Sequence, residues 1–145
     1  MKRKFLSLVT ILLVFTCVLC SFAGCKPTNS AKAQVLQSTE NILVIKVTEV
    51  YGEVTLLDVM NTLKEQGEID FTIVGGMIVS VNGVENTPDY SACWMLYTSD
   101  SEMANIGWGT IEYQNSVYGS AIVGADSLPV IVNGIYIINY QIFTY

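Results

Sequence analysis

The chain has 145 residues, of which 13 are acidic and 7 are basic, and it contains no histidine. This length suits one domain, since domains usually hold roughly 100–150 residues. Without histidine, a Ser-His-Asp or Cys-His catalytic site, a His-ligated zinc or haem and a histidine general base are all excluded. The formal charge of −6 argues against nucleic acid as a partner, because nucleic-acid binding needs clustered Lys and Arg.

The first 25 residues have the pattern of an export signal. Lys2-Arg3-Lys4 is a cationic start, an uncharged and mostly apolar run follows from Phe5 to Cys20, and Phe22-Ala23-Gly24-Cys25 comes shortly after it. A positive start, a short apolar core and small residues before a cleavage point are typical of secretory signals. The apolar run is shorter than the roughly 20 residues that a membrane-spanning helix needs.

The tetrapeptide Phe22-Ala23-Gly24-Cys25 resembles the lipobox of bacterial lipoproteins, although leucine is usual where Phe22 stands. The resemblance implies that the Cys25 sulfur is lipidated and that cleavage before it removes residues 1–24 as the signal peptide. The protein would then be extracytoplasmic and anchored to the cell membrane, since two acyl chains suffice for stable anchoring. The alternative is an ordinary secreted protein cut near Ala23, with Cys25 an incidental thiol.

Removal of residues 1–24 leaves all 13 acidic side chains and four lysines, so the mature chain is strongly acidic. Besides Cys25 it keeps only Cys93, which excludes an internal disulfide. Cys93 lies in an apolar run, and we interpret it as a buried small hydrophobe. Residues 25–40 show no clear periodicity and contain Pro27 and several polar residues, which predicts a lipidated flexible tether. The folded domain is accordingly predicted over residues 41–145.

One segment of this domain has helical periodicity. Between Thr55 and about Gln66, apolar residues recur at a spacing that forms one stripe, namely Leu56, Val59, Met60 and Leu63. Thr55 is a good N-cap with Asp58 three residues later, and Gly67 fits the position just beyond the helix end.

The rest of the domain is rich in strand patterns. We predict strands over 42–47, 71–74, 77–81, 93–98, 110–113 and 135–145, and a surface loop over 99–109. Tight turns are predicted at Asn82-Gly83 and Asn133-Gly134. One helix laid across a mixed sheet is an α+β arrangement, and a β-grasp-like fold is the natural form of it.

Several segments, taken in order, resemble the transcobalamin C-terminal-like domain (DUF4430). They are the helix start Thr55–Met60, the strand and turn Ile78–Val84, and the aromatic strand Trp94–Tyr97. The resemblance implies a β-grasp-like domain over 41–145 and a binding role, with a corrinoid or cobalamin-like ligand as the suggested case. The chain departs from the cobalamin carriers because it has no helical partner domain to close over the vitamin. A surface protein-interaction module without a small ligand is the alternative.

The candidate binding residues are the aromatic side chains Trp94, Tyr97 and Trp108, because exposed aromatics stack on flat ligands and anchor interfaces. The alternative for Trp94 and Tyr97 is a place in the core of the sheet. Trp108 lies between two glycines in the predicted loop, where a binding role is more natural, and the alternative is a lid on the core.

The acidic residues give no comparable site. Asp89, Asp100 and Glu102 could offer oxygen ligands to calcium, but no Asp-x-Asp-x-Asp-Gly loop is present, and a solvated acidic loop is the alternative. No pair of carboxylates is singled out by its spacing for hydrolysis. We therefore expect a non-enzymatic protein without cofactor or metal. Its expected partners are the membrane, through Cys25, and either a small ligand or another surface protein.

Overall fold

The computed structural model describes residues 29–144, so the predicted signal peptide 1–24 and the lipidation of Cys25 lie outside the described residues. The described part holds one helix and nine strands. In chain order these are β1 (Ser30–Ser38), β2 (Ile42–Tyr51), α1 (Leu56–Glu65), β3 (Phe71–Val74), β4 (Met77–Val81), β5 (Val84–Glu85), β6 (Ala92–Thr98), β7 (Ala104–Tyr113), β8 (Ser116–Ala121) and β9 (Ile135–Ile142). The predicted α+β class is confirmed.

The strands form two sheets. The main sheet has six strands in the order β1-β2-β9-β6-β8-β7, and the small sheet has three in the order β3-β4-β5. Every strand pair in residues 29–144 is antiparallel. The prediction of a mixed sheet is therefore wrong for the described strands. Short turns join β1 to β2, β3 to β4, β4 to β5 and β7 to β8, which suits antiparallel pairing.

The helix forms where the sequence predicts it, because its local signals agree with its packing. Thr55 caps the helix through its side chain, which accepts from the Asp58 backbone N–H, while the Asp58 carboxylate accepts from the Thr55 backbone N–H. Gly67 follows the helix with a φ of +77°, a conformation that costs glycine little. The predicted stripe of Leu56, Val59, Met60 and Leu63 is buried.

The main hydrophobic core lies between one face of the main sheet and a layer made of α1 and the small sheet. Leu43, Ile45 and Ile138 contribute from the main sheet, and Phe71 and Val81 contribute from the small sheet. A second cluster lies on the opposite face, where the β7–β8 hairpin packs its inner side chains against the central strands. It comprises Val44, Tyr97, Tyr118 and Ile137, with Ile111 and Tyr113 packed against them. Both faces of the central strands are therefore covered.

The predicted tether over 25–40 is wrong for Ser30–Ser38, which form β1 at the edge of the main sheet. Exposure alternates along most of this strand: Ala31, Ala33 and Val35 are partly buried against the main core, and the intervening side chains are exposed. The small alanines let the edge strand approach the helix, with which they share a cleft. The domain thus begins about ten residues earlier than predicted.

The predicted loop over 99–109 is wrong from Ala104 onwards, because β7 begins there and runs to Tyr113. β7 and β8 form a hairpin whose two turn residues, Gln114 and Asn115, both have positive φ. Two consecutive residues of this kind are the signature of a type I′ turn. Within residues 29–144, no helix is long and apolar enough to cross a membrane.

Candidate binding surface

Trp94 is a core residue. Its side chain is 4% exposed, and its ring lies 5.2 Å from the ring of Tyr140 at an interplanar angle of 60°. The indole N–H donates to the carbonyl oxygen of Val84 at 2.8 Å, which ties β6 to the small sheet. A buried tryptophan needs such an acceptor, and here the protein itself supplies it. The structure therefore supports the core alternative for Trp94.

Tyr97 is buried too, on the other face of the same strand. Its side chain is 1% exposed and belongs to the second cluster, because residues three apart on a strand point to opposite faces. Burial raises the pKa of the Tyr97 hydroxyl. Trp94 and Tyr97 thus share neither a face nor access to solvent, and they form no joint site.

Trp108 is the one candidate aromatic that faces solvent, with 64% of its side chain exposed. It lies within β7, in a bulge formed by residues 106–109. On one side of the bulge Asn105 pairs with Ser120, and on the other Thr110 pairs with Gly119, so four residues have no partner across the ladder. Extra residues of this kind change the direction in which side chains point at a sheet edge. The bulge turns Trp108 outward on the outermost strand.

Specific contacts hold the bulge in place. The Asn105 side-chain oxygen accepts a hydrogen bond from the Gly107 backbone N–H at 2.9 Å. A Cβ at Gly119 would lie 3.1 Å from the Ala104 Cβ and 3.3 Å from Cγ2 of Ile106, so the bulge packs closely on a position without a side chain. Gly109, with a φ of +143°, lies over Ser120. The glycines are therefore part of the geometry that presents Trp108.

Two further apolar residues of the hairpin are exposed, and sequence reasoning missed both. Ile106 is 75% exposed, and Val117 on the paired strand β8 is 62% exposed. Ile106 packs over Gly119, and Val117 points to the same side because it is two residues from Gly119 on the strand. We call Ile106, Trp108 and Val117 the hairpin surface. The signal that could have found it is an apolar residue on each side of Gly107, a pattern that also fits a loop.

One buried polar atom lies beneath the bulge. Ser120 is 3% exposed, and its Oγ has no hydrogen-bond partner among the described residues. The Tyr97 hydroxyl lies beside it, but the contact does not have the geometry of a hydrogen bond. An unsatisfied buried hydroxyl costs about 1–3 kcal/mol. The hydroxyl of Ser120 is thus a destabilising feature beneath the hairpin.

The acidic residues that the sequence offered as calcium ligands form hydrogen bonds with nearby residues instead. Asp89 accepts from the backbone N–H and hydroxyl of Ser91, and these hydrogen bonds lower the pKa of Asp89. Asp100 accepts from the backbone N–H of Glu102. No group of three or more acidic or cysteine side chains suited to a metal ion occurs in residues 29–144. Cys93 is half-buried rather than fully buried, and burial raises the pKa of its thiol.

Three clefts lie away from the candidate aromatics. One of about 410 Å³ lies between the start of β1 and α1, one of about 280 Å³ lies beside Tyr90, and one of about 240 Å³ lies between β1 and α1. Trp94, Tyr97 and Trp108 line none of them. The most exposed candidate aromatic therefore lies outside these three clefts.

Positive charge is scarce on the folded part of the chain. All 13 acidic residues but only three lysines fall within residues 29–144. Lys32 pairs with Glu49 at 2.9 Å, and Lys64 pairs with Asp70 at 2.7 Å. The surface as a whole is anionic.

Comparison of the chain with protein-family models, curated proteins and solved structures finds no match.

Proposed function

We propose that the chain is a lipid-anchored, extracytoplasmic, non-enzymatic binding protein that uses the hairpin surface to bind a protein partner. The observation that carries the proposal is the outward-facing Trp108 in the bulge of β7, next to Ile106. Tryptophan is enriched among the residues that dominate binding energy at interfaces, because it buries a large area on contact. The lipobox-like residues before Cys25 support the location.

The way in which the bulge is held favours binding. The Asn105–Gly107 hydrogen bond and the contact of Ile106 with Gly119 fix the first half of the bulge, and Gly109 lies close to Ser120 in the second half. A side chain on a backbone that is already ordered loses less conformational freedom on binding than one on a mobile loop. The surface is therefore pre-organised for a partner.

The negative charge of the domain indicates which class of protein partner it would bind. Glu112 pairs directly with Val117 and is exposed on the same side of the hairpin, and the folded part of the chain is strongly acidic. Complementary charge speeds encounter and fixes orientation, while like charge opposes association. We expect the partner to present an apolar pocket for Trp108 with basic side chains around it.

The carboxyl groups support a non-enzymatic role. A general acid at neutral pH needs a raised pKa. Asp70 and Asp89 instead have lowered pKa values, through hydrogen bonds with Lys64 and Ser91 respectively. Both are exposed and bound to local partners, which is typical of structural carboxylates.

A small flat ligand is the second candidate, and one observation favours it. The exposed indole of Trp108 could stack on a planar ligand, and the resemblance to the transcobalamin C-terminal-like domain makes a corrinoid the suggested case. The β-grasp-like form of the fold, which the helix-and-sheet pattern of the sequence and the same resemblance both suggest, belongs to this proposal. The burial of Trp94 and Tyr97 removes two of the three aromatics that would have formed a pocket.

A photo-crosslinking experiment tests the choice of partner. A photoreactive phenylalanine analogue at position 108 in the full-length protein should give a specific adduct with one protein in the membranes of the native host. The same analogue at Tyr90, an exposed aromatic away from the hairpin, is the matched control and should not give that adduct. Excess purified residues 26–145 should compete for the adduct, and the same fragment with Trp108→Ala should not. Equal adducts at both positions would rule out the hairpin surface.

Calorimetry separates the two candidates. Cobalamin and cobinamide are titrated into purified residues 26–145 of the wild type, of Trp108→Ala and of the control Tyr90→Ala. The protein-partner proposal expects no binding heat from either corrinoid. Binding heat that is lost in Trp108→Ala and kept in Tyr90→Ala would replace it with the small-ligand candidate.

A further inference from the structure

The start of β1 limits how far the folded domain can be from a lipidated Cys25. β1 begins at Ser30, so only residues 26–29 separate the strand from Cys25. Five Cα–Cα steps of an extended chain reach at most about 17 Å. A longer stalk is not available, because Ser30–Ser38 are paired with β2 along the whole strand.

The place where the linker enters the domain is a defined part of its surface. Asn29 and Ser30 line the cleft of about 410 Å³ together with Glu53, Asp58 and Asn61. Ser30 also pairs with Tyr51, at the end of β2. The surface nearest to the anchor thus carries two carboxylates beside the apolar side chains of Ala31, Val54 and Val59, and anionic lipid headgroups would repel its negative charge. It suits a position beside the headgroups and not insertion among the acyl chains.

The hairpin surface lies at the other edge of the same sheet. β1 and β7 are the two outer strands of the order β1-β2-β9-β6-β8-β7. The anchored edge and the edge that carries Trp108 are therefore the two opposite edges of the main sheet.

We infer that the domain is held beside the bilayer by its β1 edge, with the hairpin surface on the edge that faces away from the membrane. The inference rests on the lipidation of Cys25 that the proposed function includes. A domain of this size is roughly 35 Å across, so Trp108 stays within roughly 50 Å of the bilayer. The protein partner must then offer its site within that distance of the same membrane.

Energy transfer to labelled lipids tests this orientation. The lipidated full-length protein carries Cys93→Ser and one new cysteine for a donor dye, either Glu53→Cys beside the linker entry or Thr110→Cys on β7. Both sites are exposed. The protein is reconstituted in phosphatidylcholine vesicles with an acceptor on the lipid headgroups. We expect stronger transfer from position 53 than from position 110.

A lengthened linker is the matched control. Thirty Gly and Ser residues inserted between Thr28 and Asn29 have a root-mean-square length of roughly 30 Å, so transfer should fall at both sites and the difference between them should be lost. Energy transfer that is equal from positions 53 and 110 in the protein with its natural linker, and that the insertion leaves unchanged, would overturn the inference. The proposed anchor would remain intact. Failure of the protein to associate with vesicles would instead overturn the anchor and, with it, the inference.

Discussion

The surroundings of the two tryptophans show how two regions of the same sheet differ. Trp94 lies on an inner strand under the small sheet, where a neighbouring carbonyl accepts its N–H and Tyr140 contacts its ring. Trp108 lies on the outermost strand, in a bulge whose ladder partners are missing, and it faces solvent. The same residue type thus serves stability in one region and is free to bind in the other. Strand register and position in the sheet decide between the two roles.

Removal of each tryptophan tests this comparison with the largest expected effect. Trp94→Ala should lower the free energy of unfolding by about 3–5 kcal/mol, because it leaves a cavity and an unpaired Val84 carbonyl. Trp108→Ala should change it by less than about 0.5 kcal/mol, as a surface substitution does. Urea unfolding of residues 26–145, followed by circular dichroism, measures both. A loss for Trp108→Ala as large as that for Trp94→Ala would contradict the exposed position of Trp108.

A side chain at Gly119 should sharpen the comparison by displacing the bulge. In Gly119→Val, the added Cβ would lie within 3.3 Å of the Ala104 Cβ and of Ile106. The two methyl groups of valine would crowd these neighbours further. Overpacking of this kind costs about 1–3 kcal/mol. Urea unfolding should show that loss, and acrylamide quenching of Trp108 fluorescence should change because the bulge has moved.

The control for this change is Ser116→Val on the same strand, at an exposed position beside the hairpin turn. It adds a similar side chain without the close contact, so stability and quenching should stay near those of the wild type. If Gly119→Val behaves like Ser116→Val, the contact of Ile106 with Gly119 does not hold the bulge.

Removal of the buried Ser120 hydroxyl under the hairpin should raise the free energy of unfolding, whereas the substitutions above lower it or leave it unchanged. Ser120→Ala removes a buried Oγ that has no hydrogen-bond partner, so it should stabilise the protein by about 1 kcal/mol. Thr98→Val is the matched control, since Thr98 is equally buried but accepts a hydrogen bond from the Asp100 backbone N–H at 3.1 Å. That substitution should destabilise. Thermal unfolding of both variants decides, and a loss of stability in Ser120→Ala would mean that the hydroxyl has a partner.

The parts of the fold that the sequence predicted are those set by local chemistry. The Thr55–Asp58 capping box, the apolar stripe of α1 and the Asn82-Gly83 turn each depend on a few neighbouring residues, and all three are confirmed. β1 was missed because alanine and glutamine have little strand preference, and only pairing with β2 makes this segment a strand.

The hairpin and the site were harder to predict for a related reason. The type I′ turn uses Gln114 and Asn115, which lack the Asn-Gly pattern that marks such turns in a sequence. Gly107-Trp108-Gly109 reads as a loop, because a bulge is defined by the partner strand and not by its own residues. The exposure of Trp108 and the burial of Trp94 depend on which strands lie next to them, and no local pattern contains that information.

The exposed ion pair of Lys64 and Asp70 should have the smallest effect. The hydrogen bond and charge of Lys64 lower the pKa of Asp70 below its ordinary value of 3.8. A carboxyl whose pKa is lower in the folded state adds stability above its unfolded pKa. That stability is lost as the pH falls below 3.8 through the lowered value. Asp70 is largely exposed, so we expect only a small contribution.

Asp70→Asn should therefore narrow the difference in unfolding midpoint between neutral pH and the acid range below the ordinary aspartate pKa. Added salt should weaken the same contribution in the wild type, because it screens exposed charges. Urea midpoints measured across this pH range, at low and high salt, test the prediction. A wild-type acid dependence that Asp70→Asn leaves unchanged would show that other carboxylates cause it. The Lys64 side chain would then owe its position to its hydrogen bond with the Phe71 carbonyl and its contact with the Phe71 ring.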